Sequence, residues 1–254
     1  MKITFLGTGT STGVPVIGCR CAVCHSENER NHRTRPSIVI TIGDKNILVD
    51  TAPELRLQAI RSCITHVDAI LFTHIHADHI LGLDDVRVYS ILQNTTIPCY
   101  GSQVTIDYIC TFFHYAFQKR EYANVTIPRL IPVAIYGPFQ LFGVDIIPIE
   151  LFHGQMPVLG FRIENFAYVT DCSVIPPTSM NRLQNLDLLV LEAIRWQPPH
   201  PTHFTIPQAL EIIEELQPKR CYFTHITHEV EHDSTNARLP DYVQLAYDGL
   251  VVEV

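Results

Sequence analysis

The chain is 254 residues long, 46% hydrophobic and 17% charged, with 17 prolines and 12 glycines, a balance that argues against disorder and leaves room for one large domain or two small ones. Its 18 Lys and Arg stand against 26 Asp and Glu, a formal charge of -8, so a broad basic grip on a phosphate backbone is not expected, nor a stable nucleic-acid partner. Eight cysteines are too sparse for a disulfide scaffold, and no apolar run approaches a membrane span, so no membrane association is expected.

The opening MKITFLGTG lacks the basic segment, apolar core and cleavage site of a signal peptide, and a cytoplasmic protein is expected. Lys2 to Leu6 reads as a strand running into the glycine and hydroxyl-rich loop GTGTSTGVP. Ser37 to Ile42 and Asn46 to Asp50 read as a hairpin around Gly43-Asp44. PELRLQAIRS is a helix opened near Pro53, with Leu55, Ala59 and Ile60 on its apolar side. Ala69 to Thr73 is an apolar run that delivers a histidine cluster to a strand end.

Leu81 to Ile91 is helical in period, Ile97 to Tyr100 is a strand, and Ser102 is placed to cap a helix over Gln103 to Phe117. Strand-like pieces then run from Thr126 to Ile149, Phe161 to Thr170 and Leu186 to Glu192. Pro207 to Leu216 reads as a helix, Arg220 to Thr224 as a strand, and Leu250 to Val254 as a strand closing a sheet. Helices and hairpins alternate without regular βαβ units, which predicts an α+β arrangement of two mixed sheets with helices outside. No repeat, low-complexity tract or long linker divides the chain, so one domain over 1–254 is expected.

The stretch FTHIHADH, Phe72 to His79, places His74, His76, Asp78 and His79 within six positions. Neutral imidazoles and carboxylates are natural ligands for zinc, manganese or iron. His74 and His76 suit one metal position, and Asp78 and His79 a neighbouring one. An extended strand cannot aim all four together, so the chain after Thr73 must bend. His153, Asp171 and His225 are further candidates far away in sequence.

This pattern resembles the THxHxDH signature of the metallo-beta-lactamase fold superfamily, and His153 in ELFHG, Asp171 in VTDCS and His225 in FTHITH match its later ligands in order. The resemblance implies a four-layer αβ/βα sandwich. It assigns His74, His76 and His153 to a first metal and Asp78, His79 and His225 to a second, with Asp171 bridging and a hydroxide held between two divalent ions. Manganese is the family's preference, with zinc or iron fitting the same donors. Asp50 and Glu192, each at the polar end of an apolar run, are candidates to orient ligand histidines.

CRCAVC brings Cys19, Cys21 and Cys24 to C-x-C-x-x-C spacing, three thiolates that need a fourth ligand for a closed zinc site. His228 is the best candidate, with adjacent His25 poorly spaced and His32 in reserve. GTGTSTGVPVIGCRCAVC followed by a final TH-x-x-H resembles the PhnP-like group, whose members are phosphoribosyl cyclic phosphate phosphodiesterases. That resemblance implies a structural zinc on Cys19, Cys21, Cys24 and His228, and leaves His225 to the active site.

GTGTSTG matches neither the P-loop nor the GxGxxG pattern, so a tight turn near the cleft is expected rather than nucleotide binding. Arg35 and Ser37 in RTRPS are candidate phosphate contacts. His203 in HPTHFTIPQAL resembles the histidine that phosphodiesterase relatives use to protonate the leaving oxygen, with His200 as a substitute. Tyr115 and Phe117 are candidates for a cleft wall or lid within 102–140. The expected substrate is a small cyclic phosphate such as 5-phosphoribosyl 1,2-cyclic phosphate. RNA 3'-end processing and a noncatalytic metal-dependent sensor are the alternatives, and a homodimer is left open.

Overall fold

Many strands of this chain are apolar on both faces, and the computed structural model, which describes residues 1–117 and 126–254, shows why. Among the described residues, seven strands form each of two sheets. In chain order they are β1 (Lys2–Gly7), β2 (Ser37–Ile42), β3 (Lys45–Val49), β4 (Ala69–Leu71), β5 (Ile97–Gly101), β6 (Leu130–Ala134) and β7 (Phe139–Leu141). There follow β8 (Val144–His153), β9 (Met156–Ile163), β10 (Phe166–Val169), β11 (Leu188–Glu192), β12 (Arg220–Thr224), β13 (Val243–Leu245) and β14 (Val251–Glu253).

The first sheet runs β14-β1-β2-β3-β4-β5-β6 and the second β13-β12-β11-β10-β9-β8-β7. Each is antiparallel in one half and parallel in the other: β14 to β3 and β7 to β10 pair antiparallel, while β3 to β6 and β10 to β13 pair parallel. Period-2 alternation assigns the faces. Ile38, Ile40, Ile47 and Val49 meet Phe161, Phe166, Tyr168, Leu188 and Val190 between the sheets. Their neighbours Val39, Leu48 and Ile70 face the helices outside the first sheet, and Ala167, Val169, Leu189 and Leu191 face those outside the second. The result is the four-layer sandwich expected.

The outer helices are α1 (Leu55–Arg61), α2 (Ala77–Ile80), α3 (Arg87–Leu92), α4 (Gln103–Phe112), α5 (His114–Phe117), α6 (Pro177–Arg182), α7 (Ile206–Leu216) and α8 (His232–Asn236). Helix α7 begins with a capping box between Thr205 and Gln208, and Ser102 caps α4 by accepting from the Thr105 amide at 3.2 Å. None of the described helices is long and apolar enough to cross a membrane.

Three helix expectations change. On α1, Ile60 is 63% exposed and Gln58 is buried instead, because its amide donates to Thr34 Oγ1 and the Arg35 carbonyl, both at 2.8 Å. The helix expected over Leu81 to Ile91 is a 3-10 turn, Leu83–Val86, followed by α3. There the Gly82 amide is taken by the Thr51 carbonyl at 2.9 Å, so a tertiary contact sets the turn. The helix expected over Gln103 to Phe117 divides at Phe113, whose ring turns into the core.

Candidate metal centre and active site

The ends of six strands converge at one rim of the sandwich. Asp50 follows β3, His74 and His76 follow β4, His153 ends β8, Asp171 lies just beyond β10, Glu192 ends β11 and His225 follows β12. The chain after Thr73 bends into α2, whose first turn carries Asp78 and His79. Asp50, Asp171 and His225 have φ of 60°, 53° and 58°. For side chains other than glycine, left-handed backbone costs about 1 kcal/mol or more, and three such residues side by side mark a place where aim outweighs local comfort.

The rim brings the donor atoms together. Asp171 lies with its carboxylate 3.6 Å from His74 Nε2, 3.3 Å from His79 Nε2 and 3.2 Å from His225 Nε2. Asp78 Oδ2 is 3.5 Å from His79 Nε2 and 3.7 Å from His225 Nε2. Ligand atoms of Asp78, His79, Asp171 and His225 lie within 4.8 Å of one another, as do those of His74, His76 and Asp171. His153 stands further out, its ring 5.0 Å from His76 and 4.5 Å from His203. Asp171 belongs to both donor groups, the position of a bridge.

Hydrogen bonds on the far side of four of the rings fix which nitrogen faces inward. His79 Nδ1 donates to Asp50 Oδ2 at 2.7 Å, His153 Nδ1 to the Thr202 carbonyl at 2.8 Å and His203 Nδ1 to Glu192 Oε2 at 2.8 Å. The Thr73 hydroxyl donates to Asp50 Oδ2 at 2.8 Å, so its oxygen accepts from His74 Nδ1 at 2.9 Å. Nε2 of His74 and His79 is thereby left buried without a hydrogen-bond partner among the described residues, and both ring nitrogens of His225 are buried and unpartnered as well. Three orphaned imidazole nitrogens aimed at two carboxylates fit divalent cations, since a protein core without them would leave costly unsatisfied groups.

Electrostatics divides the acids. Burial works to raise Asp171, but His225, His79 and His74 overcome it and hold the carboxyl well below its ordinary range. Asp78 follows the same balance, with His79 and His225 prevailing over burial. Glu192 goes the other way: burial, reinforced by Asp171, pushes it well above the usual value. Burial, aided by His225, lowers His203 to about 4. Geometrically the two form a hydrogen-bonded pair, His203 Nδ1 to Glu192 Oε2 at 2.8 Å, further fixed by the Cys172 amide donating to Glu192 Oε1 at 2.6 Å.

A second cluster joins the two ends of the chain. Cys19, Cys21, Cys24 and His228 offer ligand atoms within 4.8 Å of one another, with His228 Nδ1 at 3.2 Å from Cys19 Sγ and 3.4 Å from Cys21 Sγ. The Cys21, Cys24 and Val16 amides point at the sulfurs of Cys19, Cys21 and Cys24 at 3.4, 3.4 and 3.3 Å, the donors that stabilise thiolates. The Cys24 amide is the largest cause holding Cys21 down at about 6, while burial raises Cys24 to about 11. Three sulfurs and one imidazole suit a closed zinc site. His25 and His32 turn to the Cys21 and Ser26 carbonyls and lie outside the set.

The expected substrate contacts divide. His203 and His200 border the centre, their rings 4.9 Å apart, and His203 is 4.9 Å from His225. Ser37 is corrected: it is fully buried, and its hydroxyl donates to the Val49 and Asp50 carbonyls at 3.0 and 2.9 Å, which makes it a strand-end clamp. Arg35 is engaged with Glu54 at 2.5 Å. Tyr115 and Phe117 pack onto the outer core, and the Tyr115 hydroxyl donates to Asp84 at 2.7 Å, so neither ring stands in the cleft wall. Of the region 102–140, residues 118–125 lie outside the described residues. Ser102 to Thr105 and Ile135 to Gly137 line a groove of about 430 Å3 that reaches His74. Sequence reasoning gave no role to Thr73, although it opens the THxHxDH signature, and missed Thr202 and Arg195, neither of which carries a local signal for its place at the rim.

Residues 45–226 match the family model described as a beta-lactamase superfamily domain. The chain belongs to the metallo-beta-lactamase fold superfamily. A solved structure described as a new diphosphatase from the PhnP family is 42% identical, covers 99% of this chain and 97% of its own, and superposes with a TM-score of 0.92, which supports the PhnP-like group. An octanoyltransferase of Porphyromonas gingivalis is 36% identical over 98% of this chain but only 51% of its own length, so the chain spans about half of that relative. A ribonuclease Z of Mycobacterium bovis is 28% identical over 77% of this chain and 71% of its own. Fold and family are thus those of the PhnP-like group of the superfamily.

Proposed function

We propose that this protein hydrolyses phosphoester bonds in a small cyclic phosphodiester, with 5-phosphoribosyl 1,2-cyclic phosphate as the first candidate. The observation that carries the reading is the placement of His203, backed by buried Glu192, beside a seven-residue donor set. His74, His76 and His153 would hold one divalent ion, Asp78, His79 and His225 the other, with Asp171 shared. Two such ions would supply Lewis acidity, acidifying a water and offsetting negative charge on the phosphoryl oxygens.

The chain's own groups do the rest. Asp50 and Thr73 keep the Nε2 lone pairs of His79 and His74 turned inward. With Nδ1 committed to Glu192, His203 has Nε2 free to serve the reacting centre. Once protonated, Nε2–H can donate to the departing ester oxygen while Glu192 stabilises the imidazolium. Asp78 and Asp171 serve as anionic ligands and not as free bases. The net charge of -8 is no obstacle, because the field at the reacting atoms is set locally.

The diphosphatase neighbour favours a phosphoanhydride as a second substrate class, and the ribonuclease Z relative favours an RNA 3' end. A panel on metal-defined protein decides: 5-phosphoribosyl 1,2-cyclic phosphate, 2',3'-cyclic nucleotides, a nucleoside diphosphate ester, precursor tRNA, phosphomonoesters, a thioester and a beta-lactam. We expect cleavage of the cyclic diesters and its loss in D171A. Cleavage restricted to the thioester or the beta-lactam would overturn the proposal, and binding of the diesters without bond cleavage would favour a sensor.

A further inference from the structure

A helix on the outside of a sheet normally turns its polar face to water, and two of the outer helices here do the opposite. On α1, Leu55, Gln58 and Ala59 are buried, so Leu57 and Ile60 point outward, 60% and 63% exposed. On α3, Tyr89 and Ser90 are buried, so Val88 and Leu92 stand out at 52% and 72%. Between the two crests lies a groove of about 460 Å3, with Leu55, Ala59, Ile64 and Tyr89 beneath and Ile60, Cys63, Val88 and Leu92 at its lips. The Tyr89 hydroxyl donates to the Ile64 carbonyl at 2.9 Å, which ties α3 to the chain after α1 and holds the groove in shape.

Together with Ile91, the crest residues leave on the order of 500 Å2 of apolar surface in water, at the upper end of the largest patch on ordinary monomers, about 300 to 600 Å2. A stable dimer hides roughly 800 Å2 per partner, about 65% of it apolar, so this patch nearly supplies the apolar core of such an interface. Its charges are divided between the two sides: Arg56 belongs to α1, and Asp85 to the turn that leads into α3. Neighbouring charges are committed elsewhere, with Glu54 on Arg35, Arg61 on Asp248 and Arg87 on Asp84. Arg56 and Asp85 are left without an ion-pair partner among the described residues. A partner of one charge sign would call for the opposite sign on both walls; opposite signs on opposite walls suit a second copy of the same surface.

We propose that the groove between α1 and α3 is the interface of a homodimer, with a twofold axis along the groove that lays α1 of one copy over α3 of the other. In such an isologous contact every pairing occurs twice. Leu92 packs into the partner's groove, and Arg56 meets the partner's Asp85 on both sides of the axis.

The test is sedimentation equilibrium of the metal-loaded full chain and of its Leu92→Glu, Arg56→Asp and Asp85→Arg variants. Wild type is expected to dimerise with a Kd of about 10 µM or tighter. L92E would bury an unpaired charge at the centre of the contact and should raise Kd by about 100-fold or more, while the exposed position spares the monomer. R56D and D85R each set two like-charged pairs across the axis and should weaken the dimer by about tenfold. Mixed in equal amounts, these two should recover a heterodimer as tight as wild type, because one then has only acids on its rim and the other only bases. That recovery also reports that both are folded, so the outcome does not hang on L92E. A wild type still monomeric at about 100 µM would overturn the interface and leave the groove to a different protein domain. A dimer unmoved by L92E would place the contact on another face, and a mixture no tighter than its components would confine the charge pair to one chain; either refutes the proposal.

Discussion

Replacing Glu192 with Gln probes the acid assignment at its weakest joint. Glu192 is fully buried and accepts from His203 Nδ1 at 2.8 Å, the Cys172 amide at 2.6 Å and the Phe204 amide at 3.3 Å. Glutamine keeps the shape and one acceptor oxygen for the two amides, so folding should survive. Its NH2 group, however, faces His203 Nδ1 and offers a donor where the imidazolium needs an acceptor. Losing a charge-assisted hydrogen bond costs about 1.5 to 3 kcal/mol, which is about 10- to 150-fold in rate. The assay compares kcat on a cyclic alkyl diester with kcat on bis(p-nitrophenyl) phosphate, at matched metal content. An alkoxide leaves only with a proton and a nitrophenolate leaves without one, so the defect should fall on the first substrate. An equal loss on both substrates, or no loss on either, would refute the assignment of His203 as the acid.

Other outcomes follow from the same geometry. Cys21→Ala should abolish zinc uptake at the site that Cys19, Cys21, Cys24 and His228 would form and lower Tm by several degrees, since the cluster ties residues about 200 apart in sequence; metal analysis and a melt check it. In Gly82→Ala, the new Cβ would lie 2.0 Å from the Ala52 carbonyl oxygen, forcing the segment that carries Asp78 and His79 away from Asp50. We expect a loss on the order of 1 to 3 kcal/mol in urea unfolding, together with weaker metal binding. His232 is held down to about 4 by burial, with Arg33 adding, and Asp233, Arg30 and Glu231 stand nearby. Between its unfolded value near 6.5 and 4, the unfolded chain binds the proton and the folded one refuses it, so stability falls as pH drops through that window. The loss should be about 2 kcal/mol from pH 7 to pH 5, and H232Q should abolish that share of the slope in paired urea titrations.

Much of the site could be read from the chain because its chemistry is local in sequence. THIHADH crowds ligands into one bend, CRCAVC places three sulfurs within six residues, and apolar runs ending in Asp50, Glu192 and His225 announce buried strands with polar tips. The helices were less legible. Ile60 and Gln58 exchange places on α1, and Phe113 breaks a continuous helical period, because each obeys a partner that the local pattern does not contain. Ser37 shows the same limit at the site, since its hydroxyl belongs to the carbonyls at the end of β3.

The amino-acid order by itself determined the donor types, the alternation that buries both strand faces, and the two metal stations as chemical possibilities. The tertiary structure decided the rest: that Asp171 faces both donor groups, that His228 and not His25 or His32 meets the cysteines, and that Arg195 shares a cavity with His203. The physical reason is range. Propensity and periodicity act over a few residues, whereas a coordination site needs atoms from six strand ends aligned within ångströms, which only the packing of two sheets against each other fixes.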